Sequence, residues 1–345
     1  MDLEPYEINK RIDIMDYLRG FALLGIILMN IIFLLEVRVP VSHSIDSVYQ
    51  RFLYFFIEGR FYPIFAFLFG VGFYLFTSRA NAKGKNGTLL FLRRVSWMFI
   101  LGIIHTFFHP GEALTVYAVC GLIVLPFYKW KKEINLLLGL ALLILFSVLA
   151  IKILLPLPII ILGLTAGQYR IFERISLNAR KIALFTVLMF VLSILGLIYQ
   201  LQFLPSKPFD GGHFSREVDM DSISRFLHIG IMIGPVVSGF YIGMLMLLLQ
   251  LPSFQKVLLP LKSYGRMSLT NYLMQTALIL VSGHVFNLVG TITYIHTLYL
   301  CLLIYVVQLL FSVLWFRYFC FGPFEWLWRL LTYFEVSPLK RTKKS

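Results

Sequence analysis

The stretch RRVSWMFILGIIHTFFHPGEALTVYAVCGL (residues 93–122) reads as two apolar helices joined by a tight hairpin. Its apolar runs are continuous, without the alternation of a barrel strand. The hairpin itself carries His105, His109 and Glu112. His105 follows Arg93 by about 18 Å of helix, and the hydrocarbon core of a bilayer is about 30 Å thick. With Arg93 at one interface, His105 lies past the midplane and His109 near the far side. Ionisable groups at that depth are costly and mark functional sites.

The rest of the chain has the same character. Of 345 residues, 59% are hydrophobic and 14% charged, and the mean hydropathy is +0.82. A soluble domain of this length needs far more polar surface, so the class is an all-α, multipass helical membrane protein. The net charge of +14 could suit nucleic acid. Basic residues in such a chain instead mark cytoplasmic loops, and no nucleic-acid partner is expected. Cys120, Cys301 and Cys320 sit within or at the ends of apolar runs without CxxC spacing and read as packing residues. The first apolar run (18–35) follows a polar segment, lacks an A-x-A site and is expected to stay as a span.

Ten stretches qualify as transmembrane helices: 17–36, 60–78, 92–109, 112–129, 134–155, 157–173, 181–204, 226–250, 268–290 and 293–318. They make one integral membrane domain over 1–345. With the N-terminus in the cytoplasm, 24 of the 31 basic residues fall on the inner side. The outer side keeps Arg38, Arg51, Arg60, Lys152, Lys207, Arg216 and Arg225. This bias implies that both termini are cytoplasmic. Outer loops are expected at 37–59, with a short aromatic interfacial helix, and at 205–225. The segment 321–335 reads as an interfacial helix rich in tryptophan, followed by a basic tail at 336–345.

His105 and His109, at i and i+4, share a helix face. Pro110 stops the helix, Gly111 allows the reversal, and Glu112 suits the next helix N-terminus. The bland alternative is a hairpin with a satisfied histidine and a capping glutamate. The chemical one makes His105 a general base or acyl-accepting nucleophile, oriented by Glu112. Zinc would suit two histidines and a carboxylate, but HExxH is missing and no metal is expected. Asp16 and Arg19 read as a local ion pair, and Asn30 as a mid-bilayer amide that needs partners. Gly70 and Gly72 allow close helix approach. Glu58, Arg60 and Tyr62 stand at the outer mouth of the second span. Arg266, Ser268, Thr270, Asn271, Tyr272 and Gln275 make a polar start to the ninth, for a ligand or for interhelical bonding. His284 and His296 read as structural. No P-loop, Rossmann fingerprint or G-x-S-x-G elbow occurs.

Four regions together carry a resemblance: DYLRGFALLGIILMN (16–30); FYPIFAFLFGVGF (61–73); RRVSWMFILGIIH with EALTVYAVCGL (93–122); and GRMSLTNYLMQT with FGPFEWLWRLLTY (265–276, 321–333). Over nearly its whole length the chain closely resembles the YeiB-type family of bacterial multipass membrane proteins. More remotely it is similar to the heparan-α-glucosaminide N-acetyltransferase class. The shared parts are Arg19-Gly20 and Phe69-Gly70-Val71-Gly72. That class moves an acyl group from cytosolic acyl-CoA to a sugar across the membrane. Its active histidine lies in the outer loop after the first span, where this chain has His43 without the accompanying tryptophan pattern. Its acidic residue after the third span is an aspartate, and Glu112 stands there here.

The resemblance and the buried histidine together imply an integral membrane acyltransferase. Acyl-CoA is expected on the inner face at Arg93, Arg94 and Arg266, with Arg19 and Asn271. His105 and Glu112 are the expected catalytic pair. Arg60, Glu58, Tyr62 and His109 would meet an outer hydroxyl or amine on a cell-envelope glycan or lipid. The rival is a transporter for a small metabolite, and a third reading is a non-catalytic lipid-binding or signalling protein. A homo-oligomer is left open.

Overall fold

A computed structural model describes residues 12–173, 175, 177–209 and 220–341. Residues 210–219 of the expected outer loop and 342–345 of the basic tail lie outside the described residues, as do Lys10, Arg11 and Arg174. The described chain is helical and contains no strand. In order, the helices begin with α1 (Asp13–Leu34), α2 (Ile45–Phe56), α3 (Tyr62–Ala82), α4 (Gly87–Thr106) and α5 (Leu114–Val124), which a 3-10 turn continues to Lys129. Then come α6 (Lys132–Val148), α7 (Pro156–Gln168), α8 (Ala179–Leu201) and α9 (Met220–Leu248). The last part holds α10 (Pro252–Val257), α11 (Leu259–Arg266), α12 (Ser268–Val285), α13 (Tyr294–Tyr318) and α14 (Pro323–Tyr333).

A helix occupies each of the ten apolar stretches. Six, α1, α3, α4, α8, α9 and α13, are long and apolar enough to cross a membrane. The segments 114–129 and 152–168 are apolar but shorter. α12 is made more polar by Ser268, Thr270, Asn271 and Gln275.

Local chemistry sets the ends. Asn86 Oδ1 accepts the Leu89 amide at 3.0 Å, so α4 starts at Gly87, ahead of its apolar run. Ala150 at φ 50° follows the end of α6, and Pro156 opens α7. Ser44 caps α2 by accepting the Ser47 amide at 3.2 Å. On α2, Ile45, Val48, Phe52 and Phe56 are exposed, while Tyr49, Gln50 and Leu53 are buried. That is the pattern of a helix lying in an interface. α10 and α11 have no counterpart in the apolar pattern, because each is short and amphipathic. α11 packs against the N-terminal half of α1, where Gly265 meets the Asp16 carbonyl.

The tightest crossing joins α3 to α7. A methyl group at Gly70 would fall on the Ile160 carbonyl, and one at Gly163 on the Phe67 carbonyl. Between helices in lipid, such backbone contact replaces the hydrophobic drive that water supplies to soluble proteins. α8 is peripheral. It packs on α9 and leaves Leu184, Val187, Leu188, Val191 and Leu195 exposed, as a lipid-facing helix should.

Gly163→Val should therefore destabilise the purified protein by at least about 2 kcal/mol, seen as a lower melting temperature. Leu188→Ala on the lipid face should change it little.

Candidate functional site

The α4–α5 hairpin is built from backbone bonds and one carboxylate. The His109 amide donates to the His105 carbonyl at 2.9 Å, and the Glu112 amide to the His109 carbonyl at 3.2 Å. Gly111 makes the reversal at φ 81°. Glu112 then caps α5, its carboxylate accepting the Leu114 amide at 2.6 Å and the Thr115 amide at 2.7 Å. Hydrogen bonds to a charged acceptor of this kind are worth about 1.5–3 kcal/mol each.

His105 has one hydrogen-bonded ring nitrogen, and its buried Nδ1 has no hydrogen-bond partner. Its Nε2 lies 3.0 Å from Thr276 Oγ1, and its Nδ1 lies 3.7 Å from Glu112 Oε2. That second distance is beyond a hydrogen bond but within ion-pair range of a protonated imidazole. Tyr272 stands edge-on to the ring at 5.1 Å between centroids. Thr276 is midway along α12. Its neighbour Gln275 donates to the carbonyl of Leu23, midway along α1, at 3.3 Å. His105 thus sits at mid-height in the bundle.

Beside the hairpin is a cavity of about 800 Å³. Walls come from α1, α3, α4, the hairpin, α12 and α14. His109, Glu112 and Tyr272 line it, and His105 stands behind them. His109 is 5% exposed, and its Nδ1 has no hydrogen-bond partner.

One end of the cavity holds Arg19, Arg94, Arg266 and Arg329. The Arg94 guanidinium lies 3.9 Å from the Trp328 ring centroid and 5.1 Å from that of Phe76. It makes no carboxylate ion pair among the described residues. Arg266 stacks on Phe316 at 4.0 Å and donates to the Cys320 carbonyl at 3.4 Å. Arg19 is 3.3 Å from Asp16. Arg93 stacks on Phe334 at 4.8 Å, away from the cavity lining. Asn271 also turns from the cavity. It donates to the Tyr264 carbonyl at 2.9 Å and to Ser312 Oγ at 3.0 Å. The polar start of α12 is therefore split, with Ser268 and Tyr272 facing the cavity and Asn271 and Gln275 joining the bundle.

At the other end Glu58 pairs with Lys152 at 2.5 Å, and Tyr62 and Asn30 share the lining. Arg60 is buried behind them, donating to the Glu58 carbonyl and, at 3.1 Å, to Gln200. It ties the segment before α3 to α8. His43 is exposed in its loop and does not line the cavity. Among the described residues no cluster of three or more His, Cys, Asp or Glu could hold a metal ion.

Sequence reasoning missed α14 as a wall. Glu325, Trp328, Arg329 and Thr332 all line the cavity, and their i, i+3, i+4, i+7 spacing was the available signal. Glu325 caps α12 from a distance, accepting the Leu269 amide at 2.7 Å, the Thr270 amide at 3.1 Å and Thr270 Oγ1 at 2.6 Å. Burial pushes the carboxyl pKa of Glu325 up, against the pull of those bonds.

The fold is that of a polytopic helical membrane protein. Residues 11–172 match the family described as heparan-alpha-glucosaminide N-acetyltransferase, catalytic. Residues 166–335 match the family described as protein of unknown function (DUF418). An uncharacterized 39.9 kDa protein in the amylase 3′ region of Bacillus acidopullulyticus is 56% identical over 345 residues, 99% of this chain and 100% of that one. The uncharacterized protein YxaH of Bacillus subtilis (strain 168) is 27% identical over 99% of both chains. The uncharacterized protein YeiB of Escherichia coli (strain K12) is 39% identical over 83 residues, 24% of this chain and 22% of its own. The chain belongs to the YeiB-type family. No solved structure matches it significantly.

Glu325→Ala should cost about 2–3 kcal/mol by leaving the α12 amides unsatisfied. The check is a lower melting temperature, with Glu325→Gln recovering part of the loss.

Proposed function

We propose that the protein is an integral membrane acyltransferase with ten spans and both termini cytoplasmic. It takes an acyl group from cytosolic acyl-CoA and passes it to a hydroxyl or amine of a cell-envelope glycan or lipid on the outer side. One observation carries this reading: a single cavity joins an arginine-and-aromatic end to a wall bearing His109 and Glu112, and continues to the Glu58–Lys152 pair. Arginine stacked on aromatic rings suits phosphates and an adenine ring together. About 18 Å of helix separates Arg94 from the end of α4, a distance that the extended arm of CoA would bridge. The thioester would then lie beside the hairpin.

In the reaction the acceptor's O–H or N–H attacks the thioester carbonyl. A C–O or C–N bond forms, the C–S bond breaks, and the proton passes to His109 and on to the departing thiolate. His109 fills this role because it lines the cavity. His105 holds the hairpin through Thr276 and faces Glu112, which makes it a positioning residue. Glu112 keeps the start of α5 rigid and supplies negative charge near both imidazoles.

Acyl-CoA at a hundred times its Kd should raise the stability of the folded protein by about 2.7 kcal/mol. Arg94→Ala should remove most of that shift. Cys320 lines the same end of the cavity, while Cys120 and Cys301 are buried, so bound CoA should slow alkylation of Cys320. His109→Gln should abolish transfer while keeping the thermal shift. The absence of any shift with CoA or its thioesters would favour transport of a small metabolite.

A further inference from the structure

Beyond the hairpin, the lining of the cavity changes character. On α1, Ile26, Met29 and Phe33 repeat on one face, opposed by Phe65 and Leu68 of α3, with Ile153 at the rim. Polar groups are sparse there. Asn30 and the Tyr62 hydroxyl are two of them, and Glu58 and Lys152 are committed to each other at 2.5 Å. A sugar in this space would bury hydroxyls with few partners, which is unfavourable. A hydrocarbon chain would bury methylenes against apolar walls, which is favourable. Phe33 and Ile153 are 51% and 64% exposed at the far end, so the apolar path runs out to an exposed apolar rim.

The order along the cavity is cationic end, hairpin, apolar stretch. We propose that the apolar stretch is a tunnel for the tail of the acyl donor, and that the donor is a medium- or long-chain acyl-CoA rather than a short one. This rests on the acyl-CoA reading above and names its substrate class. The phosphates meet Arg94 and Arg266, the thioester carbonyl lies by His109, and the chain continues along α1. Gly25 to Phe33 covers about 12 Å of helix, which sets the length over which added methylenes gain contact. An acceptor alkyl chain drawn from the outer leaflet would have the same chemistry, and binding of the thioesters without any acceptor reads the donor tail alone.

The test is calorimetric binding of CoA and its acetyl, hexanoyl, decanoyl and palmitoyl thioesters to the full-length protein in amphipol. Affinity should rise with chain length, by up to about fourfold per methylene, the equivalent of about 0.8 kcal/mol. It should level off once the chain outruns the tunnel. Ile26→Trp, which fills the tunnel, should lower the ratio of decanoyl-CoA to CoA affinity at least tenfold. Should that variant fail to fold, Phe33→Ala at an exposed position should remove the last increments of the gain. Equal affinities for CoA and all four thioesters would overturn the tunnel and leave the acyl-CoA reading standing. So would a chain-length gain that neither variant reduces. Binding of none of them would overturn both.

Discussion

Two glutamates make this interior workable. A helix start leaves amides without partners, and inside a bilayer no water can supply them. Glu112 satisfies the start of α5 from its own hairpin, and Glu325 satisfies the start of α12 from α14. The N–H bonds that each carboxylate accepts offset part of the cost of burying it. Both helices can then begin against a cavity, and the segments that carry the cavity's chemistry are held by the same bonds.

The consequence for the site is a division of labour between two histidines. They occupy one face of one helix, yet only His109 meets the cavity. Thr276 fixes His105 at 3.0 Å and Tyr272 covers its ring. The hairpin is thereby clamped to α12, and α12 is clamped to α14 through Glu325. The cavity end that stacks Arg94 between Phe76 and Trp328 is built by the same α14. A disturbance at one end therefore reaches the other through a short chain of direct contacts.

Much of the architecture was legible. Continuous apolar runs mark the helices, since in lipid the backbone must bond internally. The hairpin's His105, His109, Pro110, Gly111 and Glu112 are recognisable from order alone. The helix bounds were less so, because Asn86 and Ala150 act through local conformation rather than hydropathy. α10 and α11 escaped because short amphipathic helices make no apolar run. In the site, Arg94, Arg266, Glu58, Tyr62, His109 and Glu112 do gather on one cavity. Arg93, Arg60 and Asn271 lie outside it, and only their neighbours decide that. Arg60 faces Gln200 and Asn271 faces Ser312, partners more than forty residues away in sequence.

The sequence by itself determined that this is a helical membrane protein with an ionisable hairpin at depth, because hydropathy, helix rise and the cost of buried charge are local properties. Tertiary structure decided which imidazole meets the cavity, that α14 also forms one of its walls, and where the cavity turns from cationic to apolar. Those depend on which helices lie side by side, and in lipid that choice rests on close backbone contacts such as Gly70 with Gly163 rather than on any pattern within one helix.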